Sequence, residues 1–341
     1  MRVPVEAPAR SRPAGADLCE IADLDDDALF DALSRAQALA VDGAAPHLPE
    51  VLRGRTVLVH FGEPSTRTRM SFEIAARRLG ADFVAFAGDH STSAAKGETL
   101  LDAVRNVDAM GPDVIVVRER HEGWPRALTE CLRARVVNAG DGCNEHPTQG
   151  LLDALTILEA FGRSPQDGDR SLRGVRVAIC GDIAHSRVAG SDLRLLPRLG
   201  AEVIVAGPAG LVDPSALPPG VAYAPSLEAA ITGVDVVMML RIQRERLPTA
   251  LDLPSDAAYH ALWGLSSARL ELAAPHAIVM HPGPMNRGVE IADAVADGPR
   301  SRILRQVALG VAARMVVLAR ACDRHALLPI RSNPQDPREL R

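Results

Sequence analysis

Short apolar, β-branched runs alternate with amphipathic stretches along most of the chain. TVLVHF (56–61), ADFVAFAG (81–88), DVIVVR (113–118) and RVVNAG (135–140) have the near-continuous apolar character of strands buried on both faces. Between the first two, SFEIAARRLG predicts a helix with Met70, Ile74, Ala75 and Leu79 on its inward face and Gly80 at the C′ position. HPTQGLLDALTILEAFG (146–162) predicts a long helix, followed by the polar linker RSPQDGDRSLRG. A second set of strands follows: VRVAICG (175–181), AEVIVAG (201–207), DVVMMLR (235–241) and AIVMHPG (277–283), with helical patterns at 187–199 and 226–232 between the first three. The reading is α/β: two parallel-sheet α/β domains joined by long helices, with an active cleft between them.

The domain boundaries expected from this pattern are 17–150 for the first domain and 151–300 for the second, with a last helix over 301–320 returning to complete the first. Residues 1–16 are rich in proline and arginine, carry no apolar stretch of the secretory kind, and read as a mobile tail; 326–341 read as a flexible tail. A length of 341 residues fits two cores better than one.

Composition narrows the function classes. A net charge of −5 argues against a general nucleic-acid binder, while leaving room for a local basic pocket. The five cysteines, Cys19, Cys131, Cys143, Cys180 and Cys322, form no CxxC pair, which favours a reducing compartment without structural zinc or a disulfide framework. No segment reaches the ~18 uncharged apolar residues of a membrane helix; the best candidate, VALGVAARMVVLARA, is interrupted by Arg314 and Arg320. The expectation is a cytoplasmic protein that meets neither membrane nor nucleic acid.

Two predicted helix entrances carry the chemistry. In EPSTRTR (63–69) a strand gives way to a helix with Ser65 as its N-cap, and the first-turn N–H groups of Thr66, Arg67 and Thr68 make an anion site to which Arg67 adds a planar charged fork. In HPTQ (146–149), His146 can donate to a carbonyl oxygen, and Gln149 can donate and accept for an amide. Arg118 closes DVIVVR at the carboxyl edge of a parallel sheet, where ligands of such folds sit. Taken singly, each of these is as well explained by a capped helix or a surface cation. Lys96, in the Ser/Thr-rich loop STSAAKGETL, reads alone as a solvated lysine, and no GxxxxGK[ST] is present. Arg187 in GDIAHSR and Arg241 at the end of DVVMMLR offer two cationic forks suited to a dicarboxylate. The turn HPGPMNRG (281–288) leaves the carbonyls of Pro282 and Gly283 as acceptors. The sum is a phosphate site, a carbonyl-and-amide site and a dicarboxylate site, with no metal or cofactor required.

EPSTRTR, STSAAKGE, NAGDGCNEHPTQ, LRIQRER and HPGPMNRGVEI, in this order, resemble the aspartate/ornithine carbamoyltransferase family over roughly residues 17–320. EPSTRTR and HPTQ belong to the family at large; LRIQRER and HPGPMNRGVEI point to its aspartate branch. The resemblance implies transfer of the carbamoyl group of carbamoyl phosphate to L-aspartate, an early step of pyrimidine synthesis. It implies that Ser65, Thr66, Arg67 and Thr68 hold the phosphate, that Thr68, Arg118 and His146 polarise the carbonyl, and that Gln149 and the Pro282 carbonyl hold the amide. Arg187, Arg241 and Gln243 would bind the aspartate carboxylates, with Gly283 and Pro284 beside its amine. Thr92 and Lys96 would enter the site of a neighbouring chain in a homotrimer, and Glu63 would pair with Arg187 and Arg246 on closure. A regulatory chain or a dihydroorotase partner is compatible with the family, as is a paralogue using another amine such as ornithine, or a silent scaffolding chain. Gly62, Leu253 and Leu309 depart from the family pattern, and at Gly62 looser packing beside the phosphate site is expected.

Overall fold

Each apolar run read above becomes a strand of a parallel sheet, because a strand flanked by helices on both faces has no polar side to present. The computed structural model describes residues 12, 14–40, 45–86, 99–247 and 254–330. It divides into two compact units, one comprising Met1–Thr148 with Ala308–Arg341 and the other Gln149–Val307.

The first unit holds strands β1 (Thr56–Phe61), β2 (Asp82–Phe86), β3 (Val114–Glu119) and β4 (Arg135–Asp141) in the order β2-β1-β3-β4, all parallel. Helices α1 (Asp26–Leu39), α2 (Thr66–Arg78), α3 (Leu100–Asp108) and α4 (Trp124–Thr129) belong to it. Asp25 and Thr99 cap α1 and α3 by accepting the N–H of Ala28 and Asp102. Leu58, Ile115, Val117 and Val136 of the sheet pack with Val104, Val107, Leu128 and Leu132 into one apolar cluster.

The inward face of α2 differs from the sequence expectation. Phe72, Ala75, Ala76 and Leu79 are fully buried, whereas Met70 is 51% and Ile74 38% exposed. At 100° per residue, positions 70 and 74 lie opposite 75 and 79, so the four never shared one face. Phe72 fixes the rotation, with the guanidinium of Arg314 5.2 Å above its ring. The helix end is as expected: Gly80 follows the C-cap with φ +77, and a β-carbon there would lie 1.8 Å from the Pro49 carbonyl oxygen.

The second unit holds β5 (Arg176–Cys180), β6 (Glu202–Ala206), β7 (Val221–Tyr223), β8 (Val236–Met239) and β9 (Ile278–Met280), ordered β7-β6-β5-β8-β9 and again all parallel. β7, at the sheet edge, has three half-buried to exposed residues and so no buried apolar run for a sequence pattern to register. Two strands end earlier than read: Arg241 lies two residues past β8, and His281 to Gly283 form a loop after β9. Helices α5 (Pro147–Ala160), α6 (Arg187–Leu195), α7 (Leu227–Ile231), α8 (Asp256–Trp263), α9 (Ser267–Leu270), α10 (Asp293–Ala296) and α11 (Ile303–Ala321) complete the described elements longer than one 3-10 turn. Ser186, Ser226, Ser255 and Ser266 each cap the helix that follows by accepting a backbone N–H. α5 and α11 run from one unit into the other, so two long helices join them.

Candidate active site

Strand order reverses at β1/β3 in the first sheet and at β5/β8 in the second. In open parallel sheets the loops leaving such a switch point diverge, and ligands settle outside the carboxyl ends of those strands. EPSTRTR leaves β1, Arg118 is the penultimate residue of β3, GDIAHSR leaves β5 and LRIQRER leaves β8. The sequence-predicted residues therefore gather at the ligand-binding edge of each sheet.

In the first unit, Phe61 pairs in register with Arg118, and the N–H of Gly62 donates to the Arg118 carbonyl at 2.8 Å. The chain turns into α2 with Ser65 at the N-cap, φ −157° and ψ 96°, its hydroxyl making no capping hydrogen bond. That hydroxyl is not spent on the helix's own amides. The first-turn N–H groups of Thr66, Arg67 and Thr68 have no intrahelical acceptor, and no acidic residue occupies the first turn to compete with an anion. Thr68 is buried, Ser65 half-buried, and Thr66 and Arg67 exposed. Arg118 Nη1 donates to the Ala139 carbonyl of β4 at 3.0 Å, which holds the guanidinium across the edge of the sheet.

His146, also buried, enters from β4 through a turn that the sequence reading treated only as a turn. Asp141 Oδ2 accepts the Gly123 N–H at 2.8 Å, and its Oδ1 accepts Asn138 Nδ2 at 2.7 Å and the Glu145 N–H at 3.2 Å. Glu145 Oε2 accepts the N–H of Ile21 at 2.9 Å, and Asn138 Oδ1 accepts that of Gly140 at 2.7 Å. Asn138, Asp141 and Glu145 are all buried, so this network fixes the residues leading into His146 and Pro147.

In the second unit, Gln149 Nε2 faces the Asp153 carboxylate one turn along α5, at 3.1 and 3.2 Å from its two oxygens. A carboxylate only accepts, so the amide orientation is set and Oε1 becomes the acceptor end of Gln149. Asp182, buried directly after β5, accepts the N–H of His185 at 3.2 Å, His185 Nδ1 at 2.8 Å and the N–H of Gln243 at 2.9 Å. One carboxylate thus ties the loop before Arg187 to the loop carrying Arg241 and Gln243. Arg187 opens α6 as a buried residue. Arg241 makes a two-oxygen pair with Glu245 and donates to the Ile242 carbonyl at 3.1 Å. Donating hydrogen bonds to Glu245 pushes the Arg241 pKa up, and accepting them holds the Glu245 carboxyl below its ordinary value.

After β9, the Gly283 N–H donates to His281 Nδ1 at 2.9 Å, so neutral His281 carries its proton on Nε2, 3.1 Å from Glu290 Oε1. His281 and Glu290 are buried and shape the loop from inside. Gly283 sits at φ +68 and the Gly283–Pro284 peptide is cis. Pro282 and Gly283 are half-buried and Pro284 exposed. Among the described residues, no backbone N–H donates to the carbonyl of Pro282 or Gly283. Thr92, Lys96 and Leu253 lie outside the described residues. Leu309 is buried in α11, where an apolar side chain suits its surroundings. Among the described residues no group of three or more His, Cys, Asp or Glu is placed to hold a metal ion.

Asp153, Asp182, Asn138, Glu145 and Glu290 were missed by sequence reasoning. Their only signal is position, a polar residue beside a motif at a strand or helix end, and nothing in the residue type separates such a pin from a solvated neighbour.

Residues 16–159 match the model of the aspartate/ornithine carbamoyltransferase carbamoyl-P binding domain, and residues 173–321 that of the Asp/Orn binding domain. The chain is 52% identical over 299 residues to an aspartate carbamoyltransferase catalytic subunit from Sorangium cellulosum, covering 85% of this chain and 90% of that protein. It is 47% identical over 308 residues to the same-named subunit from Caulobacter vibrioides, covering 90% and 86%. Among solved structures, aspartate transcarbamoylase from Trypanosoma cruzi in complex with N-(phosphonacetyl)-L-aspartic acid is similar at TM-score 0.75 and 30% identity, covering 93% of this chain and 98% of that one. Ornithine carbamoyltransferase from Thermus thermophilus is similar at TM-score 0.74 and 25% identity, covering 89% and 98%. With both domain models matched and about half its residues shared with the catalytic subunits, the chain belongs to the aspartate/ornithine carbamoyltransferase family.

Proposed function

We propose that this chain is the catalytic chain of an aspartate carbamoyltransferase, converting carbamoyl phosphate and L-aspartate to N-carbamoyl-L-aspartate and phosphate on the way to pyrimidines. Identity of 47–52% to the catalytic subunits above supports the activity. The observation that carries the choice of acceptor is Arg241 beside Gln243, on a turn pinned by Asp182: a fork that already takes the Glu245 carboxylate suits an acid, whereas the second amine of ornithine would need a carboxylate there.

In this reading residues 17–150 supply most of the contacts to carbamoyl phosphate and residues 151–300 those to aspartate. The Ser65 hydroxyl, the first-turn N–H groups of α2 and Arg67 hold the phosphate. Thr68, Arg118 and His146 donate to the carbonyl oxygen, on which charge develops as the amine adds. Gln149 Oε1 and the Pro282 carbonyl accept the carbamoyl N–H groups. Arg187, Arg241 and Gln243 hold the aspartate carboxylates, and the Gly283 carbonyl, next to Pro284, meets the amine. The C–N bond forms, the C–O bond to phosphate breaks, and the amine's proton leaves with the phosphate. Because carbamoyl phosphate is already activated, positioning and oxyanion stabilisation suffice.

The assembly in this reading is a cytoplasmic homotrimer, each site completed by Thr92 and Lys96 of a neighbouring chain. Apolar side chains exposed in the first unit support association: Met70 and Ile74 of α2, and Val84 of the edge strand β2 at 46% exposure. Sedimentation velocity reports the oligomer. Mixing Lys96→Ala with His146→Ala chains regains activity only where one site draws on two chains.

Phosphate release from carbamoyl phosphate, compared with L-aspartate, with L-ornithine and without acceptor, tests the activity. Saturable release with aspartate and formation of carbamoyl-aspartate is the expected result. Release with ornithine alone identifies a paralogue, and silence with both from a folded chain favours another acceptor or a scaffold.

A further inference from the structure

Among the fully buried carboxyl groups of the second unit are Asp153 on α5 and Asp192 on α6. Asp153 is well supplied with donors: Gln149 Nε2 at 3.1 and 3.2 Å from its two oxygens, and Gln306 Nε2 of α11 at 2.7 Å from Oδ1. Asp192 is not. Among the described residues no N–H or O–H donor reaches either of its oxygens, and the ionisable group that acts on it is the Asp153 carboxyl. Two ionised carboxylates in contact away from water, one of them without a single donor, is an arrangement no fold sustains. One proton shared between them resolves it, and it belongs to the partner that lacks donors. Burial first, then the charge of Asp153, push the Asp192 carboxyl well above the ordinary carboxylate range.

Among the described residues, the donors to Asp153 include two neutral amides. Gln149 on α5 and Gln306 on α11 present amides, and His281, on the loop after β9, meets the pair only through Gln306, whose Oε1 accepts the His281 N–H at 2.9 Å. Arg305, beside Gln306, turns instead to Glu159. The one charged group acting on Asp192 is Asp153.

We propose that Asp192 is a neutral acid donating its proton to Asp153, and that Asp153 is a positioning residue aiming both acceptors of the carbamoyl amide. The logic follows from donors and acceptors. Because Asp153 only accepts, both glutamines turn Nε2 toward it. Gln149 then presents Oε1 outward. Gln306 presents Oε1 to the N–H of His281 and so fixes the start of the loop that carries the Pro282 carbonyl. A carbamoyl –NH2 offers two donors and requires two acceptors, and one carboxylate sets both. The inference rests on the reading in which Gln149 and Pro282 hold that amide.

Asp192→Asn and Asp153→Asn, made in the full chain with Gln149→Ala as reference, test it. Asparagine at 192 keeps an N–H for Asp153 and has no proton to lose. The raised pKa of Asp192 means that its stabilising contribution is full below the unfolded-state value and is lost as pH rises toward the folded one. The Tm of Asp192→Asn relative to the parent should therefore widen in its favour from about pH 5 to about pH 9, with the KM for carbamoyl phosphate within about twofold of the parent. Asp153→Asn should raise the KM for carbamoyl phosphate about tenfold while leaving the KM for aspartate unchanged, since an asparagine no longer dictates which end of Gln149 faces outward.

A Tm difference for Asp192→Asn that is flat with pH overturns the neutral acid. Unchanged KM in Asp153→Asn, where Gln149→Ala raises it, overturns the positioning role alone. Unchanged KM in both overturns the carbamoyl reading of Gln149, and the positioning role falls with it. Should Asp153→Asn not fold, Gln306→Met, which removes one donor to Asp153 and the acceptor for His281, gives the same reading on KM.

Discussion

The carboxylate of Glu119 occupies the space that a β-carbon on residue 62 would need. A Cβ built on Gly62 would lie 2.1 Å from Glu119 Oε2 and 2.8 Å from its Cδ. Glu119 ends β3 as a buried residue, its Oε1 accepting the Arg120 N–H at 2.8 Å and its oxygens 4.0 Å from His60 Nε2 and 3.8 Å from His121 Nδ1. The looser packing expected from Gly62 is therefore not what the structure has. A carboxylate from the neighbouring strand takes up the space, and residues 62 and 119 form one steric pair beside the candidate phosphate site.

Gly62→Ala should force the Glu119 side chain out of this position and strand the Arg120 N–H, destabilising the protein by about 1–3 kcal/mol. Truncating Glu119 removes the obstacle, so Gly62→Ala with Glu119→Ala should cost less than the two single changes added together. A denaturation double-mutant cycle measures this. Simple additivity would show that the two residues do not compete for one space.

Asp141→Ala removes the acceptor for the N–H groups of Gly123 and Glu145 and for the Asn138 side chain, all at 2.7–3.2 Å. Leaving the buried Glu145 N–H and the half-buried Gly123 N–H unmatched should cost about 2–3 kcal/mol. The turn that delivers His146 should loosen at the same time, lowering kcat about tenfold or more, because small displacements of a reacting geometry are expensive. Asp141→Asn, which keeps one acceptor oxygen, should fall between. Thermal melts and kcat on the three proteins decide it, and a stability loss with kcat untouched would detach this network from His146.

His146→Ala should lower kcat by about 10²–10³ while the protein still melts cooperatively, the loss expected on deleting one donor to a developing oxyanion. The KM for carbamoyl phosphate should change far less than kcat, because the interaction strengthens as charge builds. Unchanged kcat in a folded variant would remove His146 from the reaction.

Much of this was legible in the sequence, and the division between what was and what was not has a physical basis. The other eight strands were readable because a strand buried on both faces must be apolar throughout, whereas β7, a half-buried to exposed edge strand, carries no such run. The motif residues stood out as candidates because hydroxyls and guanidiniums crowd two helix entrances together, although each motif alone is as well explained by a capped helix. The rotation of α2 was not: Met70 and Ile74 are as apolar as Phe72, and only packing reveals which face turns inward. Asp153 and Asp182 were also illegible. Each owes its role to partners far along the chain, Gln306 for the first and Gln243 for the second, and no local spacing encodes those meetings.

Arg241 and Glu245 yield the prediction that most directly separates an acidic acceptor from a basic one. The Arg241 guanidinium offers two parallel donors, and Glu245 occupies both, so the geometry for a bidentate carboxylate is in place before substrate arrives. A lysine at 241 keeps the charge but loses the planar fork. If the fork binds a carboxylate of aspartate, Arg241→Lys forfeits one charge-assisted hydrogen bond, about 1.5–3 kcal/mol, which is an increase of about 10- to 150-fold in the KM for aspartate. The KM for carbamoyl phosphate should stay within about twofold, since uniform binding of one substrate is what the change removes. Steady-state kinetics with each substrate varied in turn measure both constants. An equal rise in both would mean that Arg241 supports the fold of the site rather than the carboxylate, and the choice of aspartate would then have to rest on Arg187 and Gln243.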